Sequence, residues 1–185
     1  HFKEAVAVDA NYPDALNGLG AIYRDSGRFG DALNCYRRVY ELDSGRLDVI
    51  ISYAESLKHA GNLDEALAVY EKAIHDFPDD AGLLSNKGLL LFAKGNALEA
   101  VEVYHQALKL SPGDTGALCN LGVAYLELRR FEDAVACWRG LLNSSPGEVA
   151  VLNNLGCALA DLGRLNEAVE AFPELLTVNP DYFPA

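Results

Sequence analysis

One pattern returns every 34 residues along this chain, and a repeat of that length leaves a polypeptide few ways to fold. The clearest copy reads Leu118, Leu121, Gly122 and Tyr125, then Ala134 and Trp138, then Pro146. One step forward it becomes Leu152, Leu155, Gly156, Leu159, Ala168, Phe172 and Pro180. One step back gives Leu84, Gly88, Leu91, Ala100, Tyr104 and Pro112, and a second gives Ile50, Ala54, Leu57, Ala66, Tyr70 and Pro78. The first full copy has Leu16, Leu19, Gly20, Tyr23, Ala32 and Tyr36.

Each copy holds two apolar stretches at helical spacing with a break between them. Gly27, Gly61, Gly95 and Gly163 occupy that break, where a tight turn between helices favours a residue free to take positive φ. Acids open the second stretch, as in Asn62-Leu63-Asp64-Glu65-Ala66, on the side of a helix dipole that favours them. Small residues (Gly20, Ala54, Gly88, Gly122, Gly156) are matched by large ones (Tyr36, Tyr70, Tyr104, Trp138, Phe172), so paired helices can approach closely. Pro78, Pro112, Pro146 and Pro180 are placed to end the second helices, because proline cannot continue the hydrogen-bond ladder.

These residues resemble the tetratricopeptide repeat, with its pattern W-x2-L-G-x2-Y, then A-x3-F, then P at a period of about 34 residues. Five units fit, 13–46, 47–80, 81–114, 115–148 and 149–182, and residues 1–12 resemble the second helix of a preceding unit through Phe2 and Ala5. The resemblance implies an all-α fold, a right-handed superhelical solenoid of helix-turn-helix hairpins whose first helices line a concave surface. On this reading the chain is a single array with no linker and no second domain. Stability then comes from stacking, since one hairpin cannot bury its own apolar face.

Three positions depart from the pattern. Arg129 stands where the turn glycine is expected, so the fourth unit is expected to close without a free αL residue. Lys87 replaces an apolar residue and is expected to pack its stem while its ammonium reaches water. Pro173 lies inside the last helix, which is expected to kink or fray near Phe172.

Composition narrows the function. The net charge of -12 argues against nucleic acid, whose phosphates need a Lys/Arg footprint, and against an anionic membrane surface. No run approaches the ~18 apolar residues of a spanning helix, so no membrane insertion is expected. The chain opens on His1 and holds no methionine, so it is expected to be part of a longer reading frame that leaves room for a leader, an anchor or a catalytic domain. Cys35, Cys119, Cys137 and Cys157 form no C-x-x-C pair and read as small buried hydrophobes, with zinc or a disulfide as the alternatives. Unpaired cysteines in helices lean towards a reducing compartment, hence the cytoplasm. His1, His59, His75 and His105 are scattered on exposed helix positions. No nucleophile–base set, paired carboxylates or phosphate loop is present, so neither catalysis nor a cofactor is expected.

The resemblance places a partner against the first helices. Projected there, the first two units present Asn17 and Glu55 among Asp14, Arg24, Asp25, Asp48, Lys58 and His59. Later units present the apolar Leu89, Phe92, Val123 and Leu126. Asn86, Asn120 and Asn154 recur one per unit and resemble the asparagine ladder in the tetratricopeptide arm of O-GlcNAc transferases. An amide offers donor and acceptor together, so such a ladder can bond the main chain of an extended peptide. A structural role, bonding a neighbouring helix, stays open beside it. The clamp that family members use for acidic chaperone tails is not supported, because only Arg24 and Lys58 stand among many acids. A basic or apolar peptide fits better.

The leading expectation is therefore a protein–protein interaction scaffold. The alternatives are the substrate-recruiting arm of a larger enzyme such as a glycosyltransferase, and self-assembly. Neither end carries a polar capping element, and Val169 and Leu176 lack a following helix, so either more repeats or another copy is expected to cover them.

Overall fold

The computed structural model describes residues 12–144 and 148–178, the side chains of Ser144 and of residues 172–178 excepted. Among the described residues the fold is all-α. The helices are α1 (Pro13–Asp25), α2 (Phe29–Leu42), α3 (Leu47–His59), α4 (Leu63–Asp76), α5 (Ala81–Ala93), α6 (Ala97–Leu110), α7 (Thr115–Glu127), α8 (Phe131–Ser144), α9 (Val149–Asp161) and α10 (Leu165–Val178). First helices start at 13, 47, 81, 115 and 149, so the period of the sequence is also the period of the structure. The helix expected over residues 1–12 falls on 1–11, outside the described residues, as do Pro146 and Pro180.

Local chemistry sets these boundaries. Gly27, Gly61, Gly95 and Gly163 take φ of 73°, 80°, 85° and 72°. The next N–H in each case reaches back to the carbonyl five residues earlier, as in Arg28 N to Tyr23 O at 2.8 Å and Asn62 N to Leu57 O at 2.9 Å. That closure satisfies carbonyls a helix end would leave orphaned. The fourth hairpin departs from the expectation, because Arg129 itself takes the left-handed conformation at φ 56° and Arg130 N still bonds Tyr125 O at 2.8 Å. The closing bonds thus outweigh the ~1 kcal/mol or more that an L side chain costs there. Its guanidinium lies 5.3 Å over the Phe131 ring.

The second correction concerns Pro173. Helix α10 continues through it to Val178 instead of fraying at Phe172. A proline removes one donor from the ladder, and the residues beyond it keep their own bonds.

Helix starts are secured twice over. Asp80 and Asp114 accept from Leu83 N and Ala117 N, each at 3.0 Å, capping α5 and α7. At the second helices Arg28, Arg130 and Arg164 reach the acid three residues on, with Nε 2.7 Å from Asp31, Asp133 and Glu167. Arg28 and Arg130 also cover the rings of Tyr23 and Tyr125, each at 4.4 Å.

The chain divides into two compact units at residues 90 and 91, inside α5. In the first, Tyr36, Ile50, Leu57 and Tyr70 build the core between α2, α3 and α4, and Leu83 and Leu90 of α5 join it. A chain of polar contacts runs through the same helices: Arg37 Nε to Tyr53 Oη at 3.2 Å, then Tyr53 Oη to Glu65 at 2.7 Å. Lys87, partly buried as expected, places its ammonium 3.1 Å from Glu71. In the second unit Trp138, Leu141, Leu152 and Leu159 are buried. Close approach of paired helices follows from the missing Cβ of glycine. A methyl on Gly20 would lie 2.9 Å from the Tyr36 ring, and one on Gly122 would lie 2.5 Å from Trp138 Cε2. Trp138 is fixed further by its Nε1, which donates to Cys119 O at 3.3 Å.

Candidate functional site

The first helices carry every residue that the sequence marked for a partner. In the first unit Asn17 (α1), Glu55 (α3), Asn86 and Leu89 (α5) are partly buried; in the second, Phe92 (α5), Asn120, Val123 and Leu126 (α7) and Asn154 (α9) are partly buried. Such positions are anchored by their helix yet open to contact.

The asparagines divide into two kinds. Asn17 Nδ2 donates to Asp48 Oδ2 at 3.2 Å. Asn86, Asn120 and Asn154 make no side-chain hydrogen bond with any described residue.

Around Asn17 the charges are also less open than the sequence implied. Arg46 Nη1 lies 2.6 Å from Asp14 and Nη2 2.9 Å from Asp48, while Arg24 pairs with Asp25 at 3.2 Å. The bonds from Arg46 hold the Asp48 carboxyl below the ordinary aspartate range. Counting acids along the sequence missed this, because Arg46 caps α3 and lies outside the projected face.

Three of the marked residues converge. Glu55, Asn86 and Leu89 line one pocket of the first unit, together with Lys58, Leu90 and Tyr70. Sequence reasoning gave Tyr70 a packing role only. Burial foremost, then the charge of Glu55, push its phenol above the ordinary tyrosine range. The available signal was its register, since the residue that faces it across the repeat is Asn86.

Other candidate chemistry is quieter. Cys35 is buried and Cys119 and Cys137 partly so, but Cys157 is exposed, against the buried role expected for it. Burial pushes the Cys137 thiol up to about 11. His59 stacks on Phe29 at 4.8 Å and His105 Nε2 lies 2.7 Å from Tyr125 Oη. Among the described residues no cluster of His, Cys, Asp and Glu could hold a metal ion, and no helix is long and apolar enough to cross a membrane.

Four sequence profiles described as tetratricopeptide repeat match the chain, at residues 13–46, 54–115, 91–152 and 149–179. The chain belongs to the tetratricopeptide repeat family. Comparison with curated protein sequences finds no match. Solved structures with the same tetratricopeptide fold include MamA, at 19% identity over 94% of this chain and 96% of that one, TM-score 0.76. MamA from Desulfovibrio magneticus RS-1 matches at 17% identity over 92% of this chain and 96% of that chain, TM-score 0.80. YrrB, described as a TPR protein with an unusual peptide-binding site, matches at 19% identity over 98% and 93%, TM-score 0.70. Identities this low establish a shared tetratricopeptide fold.

Proposed function

We propose that the chain binds an extended segment of a partner protein along its first helices. In this reading Asn86, Asn120 and Asn154 bond the segment's main chain, while Leu89, Phe92, Val123 and Leu126 bury its apolar side chains. One observation carries it: the three amides are partly exposed and unbonded among the described residues, whereas that of Asn17 is taken by Asp48. YrrB, a tetratricopeptide protein with a peptide-binding site, lends support by fold. The free amides favour a partner recognised by backbone as well as by side chain. The apolar positions favour a segment that is apolar or basic, against a chain of charge -12.

The test compares the parent with the triple variant Asn86→Ala, Asn120→Ala, Asn154→Ala in capture of proteins from source lysate. Circular dichroism verifies that both are folded. The variant is expected to lose the captured protein. Equal capture by both would show that the amides are structural and overturn the reading.

A second reading, self-association, is favoured by α10. Leu165 and Val169 lie on successive turns of one face and are 62% and 65% exposed. A paired apolar exposure of this kind favours contact with a second copy.

A further inference from the structure

The pocket built by Glu55 and Lys58 of α3, Tyr70 of α4, and Asn86, Leu89 and Leu90 of α5 has a chemistry of its own. Its floor is a tyrosine that is 2% exposed. The Tyr70 hydroxyl makes no hydrogen bond with any described residue, yet no buried side-chain oxygen among the described residues lacks a partner. The hydroxyl oxygen must therefore meet the surface, and the surface that Tyr70 lines is this pocket. The repeat supplies this arrangement once more, since Tyr104 in the third hairpin is 1% exposed and its hydroxyl likewise makes no hydrogen bond with a described residue. In the preceding hairpin Tyr36 holds the equivalent place. In the fourth hairpin Trp138 stands there and donates to Cys119 O at 3.3 Å. What sets the Tyr70 pocket apart is therefore its rim.

The rim adds charges of both signs. Glu55 and Lys58 stand one turn apart, and neither forms an ion pair with a described residue. The corresponding pairs elsewhere are Ala21 and Arg24, Leu89 and Phe92, Val123 and Leu126, and Cys157 and Ala160, so two opposite charges occur here only. A carboxylate entering this pocket would meet Glu55, and an ammonium or guanidinium would meet Lys58. Like-charge juxtaposition disfavours both. A neutral group with a strong dipole avoids either conflict. The deep part has room for about one water molecule, a volume of about 10 Å³, so only one heavy atom of the visitor enters it.

We propose that this pocket is the subsite for a neutral carboxamide, the side chain of a glutamine or asparagine in the bound partner segment. The carboxamide NH2 donates to the Glu55 carboxylate. Its carbonyl oxygen accepts from the Tyr70 hydroxyl and the Lys58 ammonium. The aliphatic stem lies on Leu89 and Leu90, and Asn86 stays available to the main chain. The inference rests on the reading that a partner segment lies along the first helices, and it names one residue type in that segment.

The experiment is an amide-detected NMR titration of the whole chain with N-acetyl-glutamine methylamide, alongside its glutamate, lysine and leucine counterparts. The glutamine probe is expected to give saturable shifts at Glu55, Lys58 and Asn86, with the glutamate and lysine probes at least about tenfold weaker. Tyr70→Phe keeps the ring in the core and removes the hydroxyl. It is expected to weaken the glutamine probe about fivefold, the effect of one hydrogen bond. Shifts of equal size from the leucine probe, no shift with glutamine, or no effect of Tyr70→Phe would each overturn the subsite. If the subsite fails while the triple asparagine variant still loses its captured protein, the wider reading stands. If the triple variant captures normally while the glutamine probe binds, the pocket stands without the ladder.

Discussion

Gly122 and Gly140 are both helical glycines of the fourth hairpin, and their surroundings give opposite expectations. A Cβ on Gly122 would press into the indole of Trp138, a side chain with no exposed surface. A Cβ on Gly140 would meet nothing within 4 Å. Gly122→Ala is therefore expected to destabilise the fold by about 1–3 kcal/mol through overpacking, despite the gain in helix propensity. Gly140→Ala is expected to stabilise it by about 0.5–1 kcal/mol. Urea denaturation of both variants checks the pair, and two shifts of the same sign would refute the packing account. The first of these roles is legible in the sequence, because Gly122 and Trp138 recur at fixed places in the repeat. The freedom of the Tyr70 hydroxyl is not legible in that way. It depends on whether a neighbouring side chain comes within bonding distance of the phenol, which the packing in three dimensions decides.

Helices α8 and α10 are joined by Arg139, which bonds Glu167, while Arg164 grips the same carboxylate with Nε and Nη2 at 2.7 Å each. These bonds hold the Glu167 carboxyl down at about 2, against 4.5 for an unperturbed glutamate. The folded chain thus resists protonation there more than the unfolded chain does. Its contribution is complete above about pH 4.5 and disappears as the pH falls towards 2. Glu167→Gln is expected to melt below the parent at pH 7, with the gap closing as the pH falls from 4.5 to about 2. Thermal melts across that range measure it, and a gap of constant size would count against the cross-link. The helix boundaries were legible from spacing, glycine and proline. Arg129 was misread, and the fraying expected at Pro173 does not occur, because each rule treats one residue in isolation. A turn closed by bonds at 2.8–2.9 Å on either side of the αL position can impose that geometry on arginine, and a helix can carry one missing donor.

For the molecule as a whole, the period by itself states the family, whereas the electrostatics of the first helices need three dimensions. Arg46 neutralises Asp14 and Asp48 from a cap position, 32 residues from one and two from the other. The exposed pair on α10 makes a prediction at this scale. The mass of the purified chain by light scattering is expected to rise with concentration, and Leu165→Lys with Val169→Lys to return it to that of a monomer. A parent that stays monomeric at about 1 mM would exclude the contact. The hairpins carry one more consequence. Within each unit, α1 packs on α2, α2 on α3 and α3 on α4, and likewise from α6 through to α10, so partners lie close along the chain. Short-range pairing of this kind lowers contact order, and such topologies fold fast. Within a unit, a ribosome must release a second hairpin before the first can bury its apolar face, so each hairpin waits only for its immediate successor.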